Sequence, residues 1–244
     1  MRTLVLGYAM IKSSSLGIER SILNMKTQII AHRGASAYYP ENTMAAFEAA
    51  IMMGADAIEL DVHMSRDGEL MVIHDERLER TTSGTGYVHE LTRGELQTLE
   101  ADILRRGYRK QERISALEDV LRMAKKANIW VNIEIKPSTA GSDLKETLVK
   151  VIHSCGMQDN VVISSFDHYS LLELKKVWPE ASIALLHVCC LVEPWEYAKR
   201  VGAKTIHPQY LAALKPGWVD ACHKHGLRVN VWTVDDESTI ERLI

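Results

Sequence analysis

From Gln28 onward the chain alternates short apolar runs with stretches of helical period, and this alternation is the strongest constraint on its fold. The runs are Ile29 to His32, Ile58 to Val62, Trp130 to Ile135, Val161 to Ser164, Ile183 to His187, Lys204 to His207 and Leu227 to Thr233. The helical readings between them are Asn42 to Met53, Ser115 to Ala127, Asp143 to Ser154, Tyr169 to Val177, Pro194 to Val201 and Pro216 to His225. Such repetition predicts parallel strands wound with helices. Ser115-Ala116-Leu117-Glu118 reads as a capping box for its helix, while Gly54 and Gly226 close theirs. The sequence stops at Ile244 within what reads as a further helix, so an eight-stranded barrel would lack its closing C-terminal strand.

Between Val62 and Leu70 lies Ser65-Arg66-Asp67-Gly68, too little chain for a parallel crossover, so Leu70 to Ile73 is expected to fold back as a hairpin. That would bring His74 beside Asp61. Residues 75–114, rich in Arg, Glu, Thr and Gly, are too long for a simple loop and are expected to form a small cap over one end of the sheet. Residues 1–24 carry no strand-helix signal, so 1–27 is read as a leader outside the barrel and 28–244 as one domain. Leu4 to Ile11 is too short to span a bilayer and leads to no convincing cleavage site.

A chain of 244 residues, 46% hydrophobic and 25% charged, suffices for one large core. A net charge of −3 offers no polybasic field, which argues against a nucleic acid or an anionic membrane as the main partner and for a small molecule. Cys155, Cys189, Cys190 and Cys222 form no CxxC pair, which fits free thiols in a reducing cytoplasm.

The polar residues within the apolar runs carry the chemistry. In Ala57-Ile58-Glu59-Leu60-Asp61-Val62 and Trp130-Val131-Asn132-Ile133-Glu134-Ile135-Lys136, the acids recur every second residue, so Glu59 shares a face with Asp61 and Glu134 with Lys136. Three carboxylates on neighbouring strand ends repel unless a cation lies between them, and oxygen ligands suit one hard divalent ion, Mg2+ or Ca2+. Taken alone, Glu134 and Lys136 would read as a simple ion pair; their position beside the other acids favours the metal site. His32, Arg33, Glu59, Asp61, His74, Glu134 and Lys136 all fall at the C-terminal ends of strands, where α/β barrels bind ligands. Cations for a phosphate together with two histidines as base and acid predict phosphoester cleavage.

Other residues read as structure. His223 and His225 lie near a helix C-terminus, where a cationic side chain favours the dipole. His63 follows the acidic pair and is expected past the strand end. Partners for His89, His153, His168, His187 and His207 are not evident in the sequence. Trp232 is either an apolar wall for substrate or core packing.

In order along the chain stand Ala31-His32-Arg33-Gly34, Pro40-Glu41-Asn42-Thr43, Glu59-Leu60-Asp61-Val62, Arg66-Asp67-Gly68, His74-Asp75, Arg80-Thr81-Thr82-Ser83-Gly84, Glu134-Ile135-Lys136, Ser165-Phe166 and Trp232-Thr233-Val234. This series resembles the glycerophosphodiester phosphodiesterase family over about Ile29 to Asp235. The resemblance implies a phospholipase-C-like TIM barrel, with 75–114 as the family's insertion after the second barrel strand. It implies hydrolysis of glycerophosphodiesters to glycerol 3-phosphate and an alcohol. By that likeness Glu59, Asp61 and Glu134 hold the metal, His32 and His74 exchange protons, Arg33 and Lys136 bind phosphate, and Glu41 orients the site. Relatives continue beyond Trp-Thr-Val to a Gly-x-Asp-Gly closing segment that has no counterpart here.

Two competing readings follow. A barrel without its closing strand could be a remnant or binding protein, dependent on homo-oligomer formation to cover its edges. A lysophospholipase D-like activity would use the same site with a more apolar entrance, but no long amphipathic stretch marks a membrane-docking surface.

Overall fold

A computed structural model of the chain describes residues 8–9, 27–101, 110–136 and 143–243. β1 (Tyr8–Ala9) pairs antiparallel with β2 (Ile29–His32). α1 (Met44–Met52) leads into β3 (Ala57–Met64), which runs parallel to β2 and turns back into antiparallel β4 (Leu70–Val72). The excursion carries the one-turn α2 (Arg93–Leu96) and returns through β5 (Ser115–Ala116) to α3 (Leu117–Ala127) and β6 (Trp130–Ile135). Then follow α4 (Leu144–Cys155), β7 (Val161–Ser165), α5 (His168–Val177), β8 (Ile183–His187), α6 (Pro194–Val201), β9 (Thr205–Pro208), α7 (Trp218–Lys224), β10 (Arg228–Val229) and α8 (Glu237–Leu243).

The strand path is β1-β2-β3-β6-β7-β8-β9-β10, with β4 on β3 and β5 on β4. From β2 to β10 every pairing on it is parallel. Among the described residues the path remains open between β1 and β10. Apart from Tyr8–Ala9, the leader up to residue 26 lies outside the described residues.

Alternation along the strands divides the molecule. Ile58, Leu60 and Val62 of β3 and Val131, Ile133 and Ile135 of β6 join the main core, where Leu117, Leu121, Leu148 and Ile152 of the helices meet them. The opposite face carries Glu59, Asp61, Asn132 and Glu134, because successive strand side chains point to opposite sides. Deeper on that face Ile30 and Ala57 pack with Trp130 and Trp232. Residues of the excursion build a separate small core, with Leu78, Val88, Leu96 and Ile114 against Met71 and Ile73.

The hairpin forms as its short connection requires: Val62 faces Val72, Met64 faces Leu70, and the Ile73 N–H donates to the Asp61 carbonyl at 3.0 Å. Three expectations are corrected. Ser115 caps no helix; it is taken into β5 opposite Val72, and α3 starts after Ala116 without a side-chain cap, aided by Glu118 and Asp119 in its first turn. His63 does not fall past the strand end; β3 extends through Met64, and His63 is buried opposite Met71. The last run is interrupted, with a ladder at Arg228–Val229 and a single further bridge of Trp232 to Gln209. Gln209 donates to His187 on the β8 side, so the preceding position faces β10, and there Pro208 has no hydrogen to give.

The turn after β2 is the tightest element near the polar face. Arg33 and Gly34 take successive left-handed conformations, with φ of 57° and 78°. A Cβ on Gly34 would lie 2.6 Å from the Ala46 carbonyl carbon, against helix backbone that cannot give way. Gly34→Ala is therefore expected to destabilise the fold by about 2 kcal/mol or more, measured as a lower urea midpoint with unchanged slope. An unchanged midpoint would contradict this reading of the turn.

Candidate active site

Strand register assembles the polar groups. His32 lies opposite Glu59 across β2 and β3, and Asp61 lies opposite Glu134 across β3 and β6. Glu59, Asp61 and Glu134 are buried and present oxygens all within 4.8 Å of one another. Arg33 and Lys136 follow β2 and β6 directly, so the backbone delivers two cations to the same place.

Those cations touch the acids. Lys136 Nζ lies 2.6 Å from Glu134 Oε1 and 3.0 Å from Asp61 Oδ1, and Arg33 Nε lies 3.4 Å from Asp61 Oδ2. The left-handed turn also aims the Arg33 backbone N–H at Glu59 Oε2, 2.9 Å away. Two cations then face three carboxylates, one too few, and Glu59 Oε1 is buried without a hydrogen-bond donor. Asp61 Oδ1 has the Lys136 charge nearby but no hydrogen bond of good geometry. Buried acceptors left so are costly unless something else meets them, and a hard dication is the group this all-oxygen donor set fits.

The protonation preferences express the same imbalance. Burial, reinforced by the charges of Asp61 and Glu134, pushes the Glu59 carboxyl well up. Burial and then Asp61 raise Glu134 to about 7. Burial also opposes ionisation of Asp61, but Lys136 and Arg33 outweigh it and hold the group below the usual carboxylate range. Burial and then Arg33 lower His32 to about 4, which leaves a neutral imidazole near neutral pH, 4.0 Å from Glu59 Oε2.

His74 reaches the edge of this cluster from the hairpin. Its Nδ1 lies 2.5 Å from Asp75 Oδ1, and its carbonyl accepts a 3.0 Å bond that requires His63 to be the Nε2–H tautomer. Burial lowers the His74 pKa, with Arg33 and Lys136 adding to the effect against Asp61 and Asp75. Glu41 accepts from Arg33 Nη1 at 3.0 Å.

Trp232 stands apart. Its indole N–H donates to the His207 carbonyl at 2.7 Å and its ring meets Phe166 edge-on at 5.4 Å; none of the described contacts joins it to the carboxylates. His168 also has a structural setting, bonding the Leu186 carbonyl and Tyr197, and His225 stacks on Trp195.

Sequence reasoning missed several supporting groups. Asn42, itself left-handed at φ 59°, donates from Nδ2 to Asp61 Oδ2 at 2.9 Å, while its N–H closes the turn on the Arg33 carbonyl. Asn tolerates that backbone region best among residues with a polar side chain of this reach, and its place in Pro40-Glu41-Asn42-Thr43 was the available signal. Asp75 and Arg80 were visible only as motif members.

Because burial and mutual repulsion raise the Glu59 and Glu134 carboxyls, a dication binding there competes with protons. Divalent-ion binding at pH 7 is expected to release protons and to strengthen as pH rises through about 7. Calorimetric titration in buffers of different ionisation heat measures this. Identical heats in all buffers, with affinity flat across that range, would contradict this competition between ion and protons.

A family model for the glycerophosphoryl diester phosphodiesterase family matches residues 32–244. Over 221 residues, 90% of each protein, the chain is 44% identical to a glycerophosphodiester phosphodiesterase of Caldanaerobacter subterraneus subsp. tengcongensis. Its fold is similar to the crystal structure of a glycerophosphodiester phosphodiesterase from Agrobacterium tumefaciens, with TM-score 0.77 and 31% identity over 87% of this chain and 89% of that one. It is also similar to an Oleispira antarctica phosphodiesterase in complex with the product sn-glycerol-3-phosphate, with TM-score 0.81 and 29% identity over 88% of each chain. The chain belongs to the glycerophosphoryl diester phosphodiesterase family.

Proposed function

We propose that this chain hydrolyses glycerophosphodiesters to glycerol 3-phosphate and an alcohol, using one divalent cation, Mg2+ or Ca2+, held by Glu59, Asp61 and Glu134. The observation that carries this reading is the buried carboxylate trio with an unpartnered oxygen, flanked by Arg33, Lys136 and two histidines. The parallel strands are read as a TIM-type barrel whose C-terminal rim holds the site. Buried free thiols at Cys155 and Cys222 support a cytoplasmic location.

When bound, the cation would supply the missing positive charge and polarise a phosphoryl oxygen. Arg33 and Lys136 bind the remaining phosphate oxygens, and Trp232 with Phe166 offers an apolar wall. Neutral His32 takes a proton from the attacking group, a glycerol hydroxyl or a water. As the new P–O bond forms and the bond to the alcohol breaks, His74, doubly protonated as imidazolium, gives its Nε2 proton to the departing oxygen. Asp75 engages Nδ1 of His74, which leaves Nε2 as the nitrogen that faces the reaction. Glu41 steadies Arg33. A deacylated substrate is favoured over a lysophospholipid because the groups gathered here are charged.

Release of glycerol 3-phosphate from glycerophosphocholine, followed by a coupled assay, is expected to vanish with EDTA and to return with Mg2+ or Ca2+. His32→Ala should lower turnover by about 100-fold or more with cation affinity retained. Glu134→Gln should lower cation affinity by about 10-fold or more. Turnover undiminished in EDTA, or faster cleavage of the acylated counterpart, would overturn this reading.

A further inference from the structure

The proposed chemistry leaves one motif member without a role, Arg80, which lies with Asp75 in the excursion. Their contacts form a continuous chain. The Arg80 guanidinium grips Asp75 through Nε to Oδ2 at 2.5 Å and Nη2 to Oδ1 at 3.1 Å. The same group grips Glu41 through Nη1 to Oε2 at 3.0 Å and Nη2 to Oε1 at 2.8 Å. At the far ends, Asp75 Oδ1 holds Nδ1 of His74 and Glu41 Oε1 holds Nη1 of Arg33. One side chain therefore links the histidine on the hairpin to the arginine on the turn after β2.

Stability alone is a poor explanation for this arrangement. Arg80 keeps 37% and Asp75 28% of its side chain exposed, and ion pairs so placed contribute little to folding. Directional content is high, because two forked carboxylate contacts fix a planar guanidinium in orientation as well as distance. The anchor behind it is also rigid. Thr81 and Thr82 are buried, and both the hydroxyl and the N–H of Thr82 bond the Leu78 carbonyl, at 2.7 and 3.0 Å, within the excursion's own core.

We infer that Arg80 is a positioning residue that aligns His74 and Arg33 together, Asp75 fixing the imidazole tautomer and Glu41 the guanidinium, so that seating of the excursion and alignment of the site are one event. This inference rests on the roles proposed above for His74 and Arg33. The described bonds of Arg80 go to Asp75 and Glu41 and not to the carboxylate trio. Its charge balances Asp75 and Glu41, both held below the usual carboxylate range against burial by Arg80 together with His74 and Arg33 respectively.

The test compares the parent with R80A, R80K and D75N, reading kcat, KM, calcium affinity by calorimetry and the His74 tautomer by nitrogen-15 NMR. R80A is expected to lose about 10- to 100-fold in kcat, with calcium affinity close to that of the parent. Free guanidinium chloride at millimolar concentration should restore part of that turnover. R80K should stay impaired, since one ammonium cannot hold two forks. The neutral form of His74 should carry its proton on Nδ1 in the parent and become a tautomer mixture in R80A and D75N. R80A turnover within about twofold of the parent, or an unchanged His74 tautomer, would overturn the inference. If R80A does not fold, folded R80K at parental kcat and tautomer overturns it just as well. If the parent releases no glycerol 3-phosphate, the proposed function fails, while the tautomer measurement still decides the positioning role.

Discussion

Everything at the polar face depends on the burial of three carboxylates against two cations. Desolvated like charges raise one another's proton affinity, and two outcomes relieve this: protons on the acids or another cation among them. The first course is favoured at Glu59 and Glu134, whose carboxyls are raised, while Lys136 and Arg33 favour ionised Asp61. The second course meets the oxygen of Glu59 that no donor reaches.

The scaffold around this charge imbalance is rigid by construction. Glu59 and Asp61 sit on one strand and Glu134 on its hydrogen-bonded neighbour, so their spacing follows from ladder register rather than from loop conformation. The residues between them, Leu60 and Ile133 among others, are locked into the apolar layer under the helices. A change of register would bury the acids in that layer, which couples the hydrophobic pattern to the site. Turns enter only at the rim, where the left-handed turn at Arg33 and Gly34 and the hairpin before His74 bring in the remaining groups. Backbone strain at Arg33 and Asn42 lies beside the acids they serve, with the Arg33 N–H on Glu59 and the Asn42 amide on Asp61.

How much of this was legible in the sequence varies with the range of the interaction. Period-two alternation of acids with aliphatics marked β3, β6 and their shared face, and a connection too short for a crossover marked the hairpin, because both signals are local. Pairing across the chain left no such mark. Ser115 had the spacing of a helix cap, yet the edge of β4 claimed it, as strand pairing satisfies its backbone more fully than a cap would. His63 looked like a loop residue because nothing local reveals that β3 continues to meet β4. The bonds from Glu41 to Arg80 and from Asn42 to Asp61 join segments 39 and 19 residues apart, and only the folded register brings them together.

The central claim about this arrangement is that the carboxylate trio holds a dication. The most direct measurement is anomalous diffraction from crystals of the protein soaked in Mn2+, a heavier stand-in for Mg2+. One strong peak enclosed by oxygens of Glu59, Asp61 and Glu134 is the predicted result. Full-occupancy peaks elsewhere, with none among these three residues at saturating Mn2+, would contradict it.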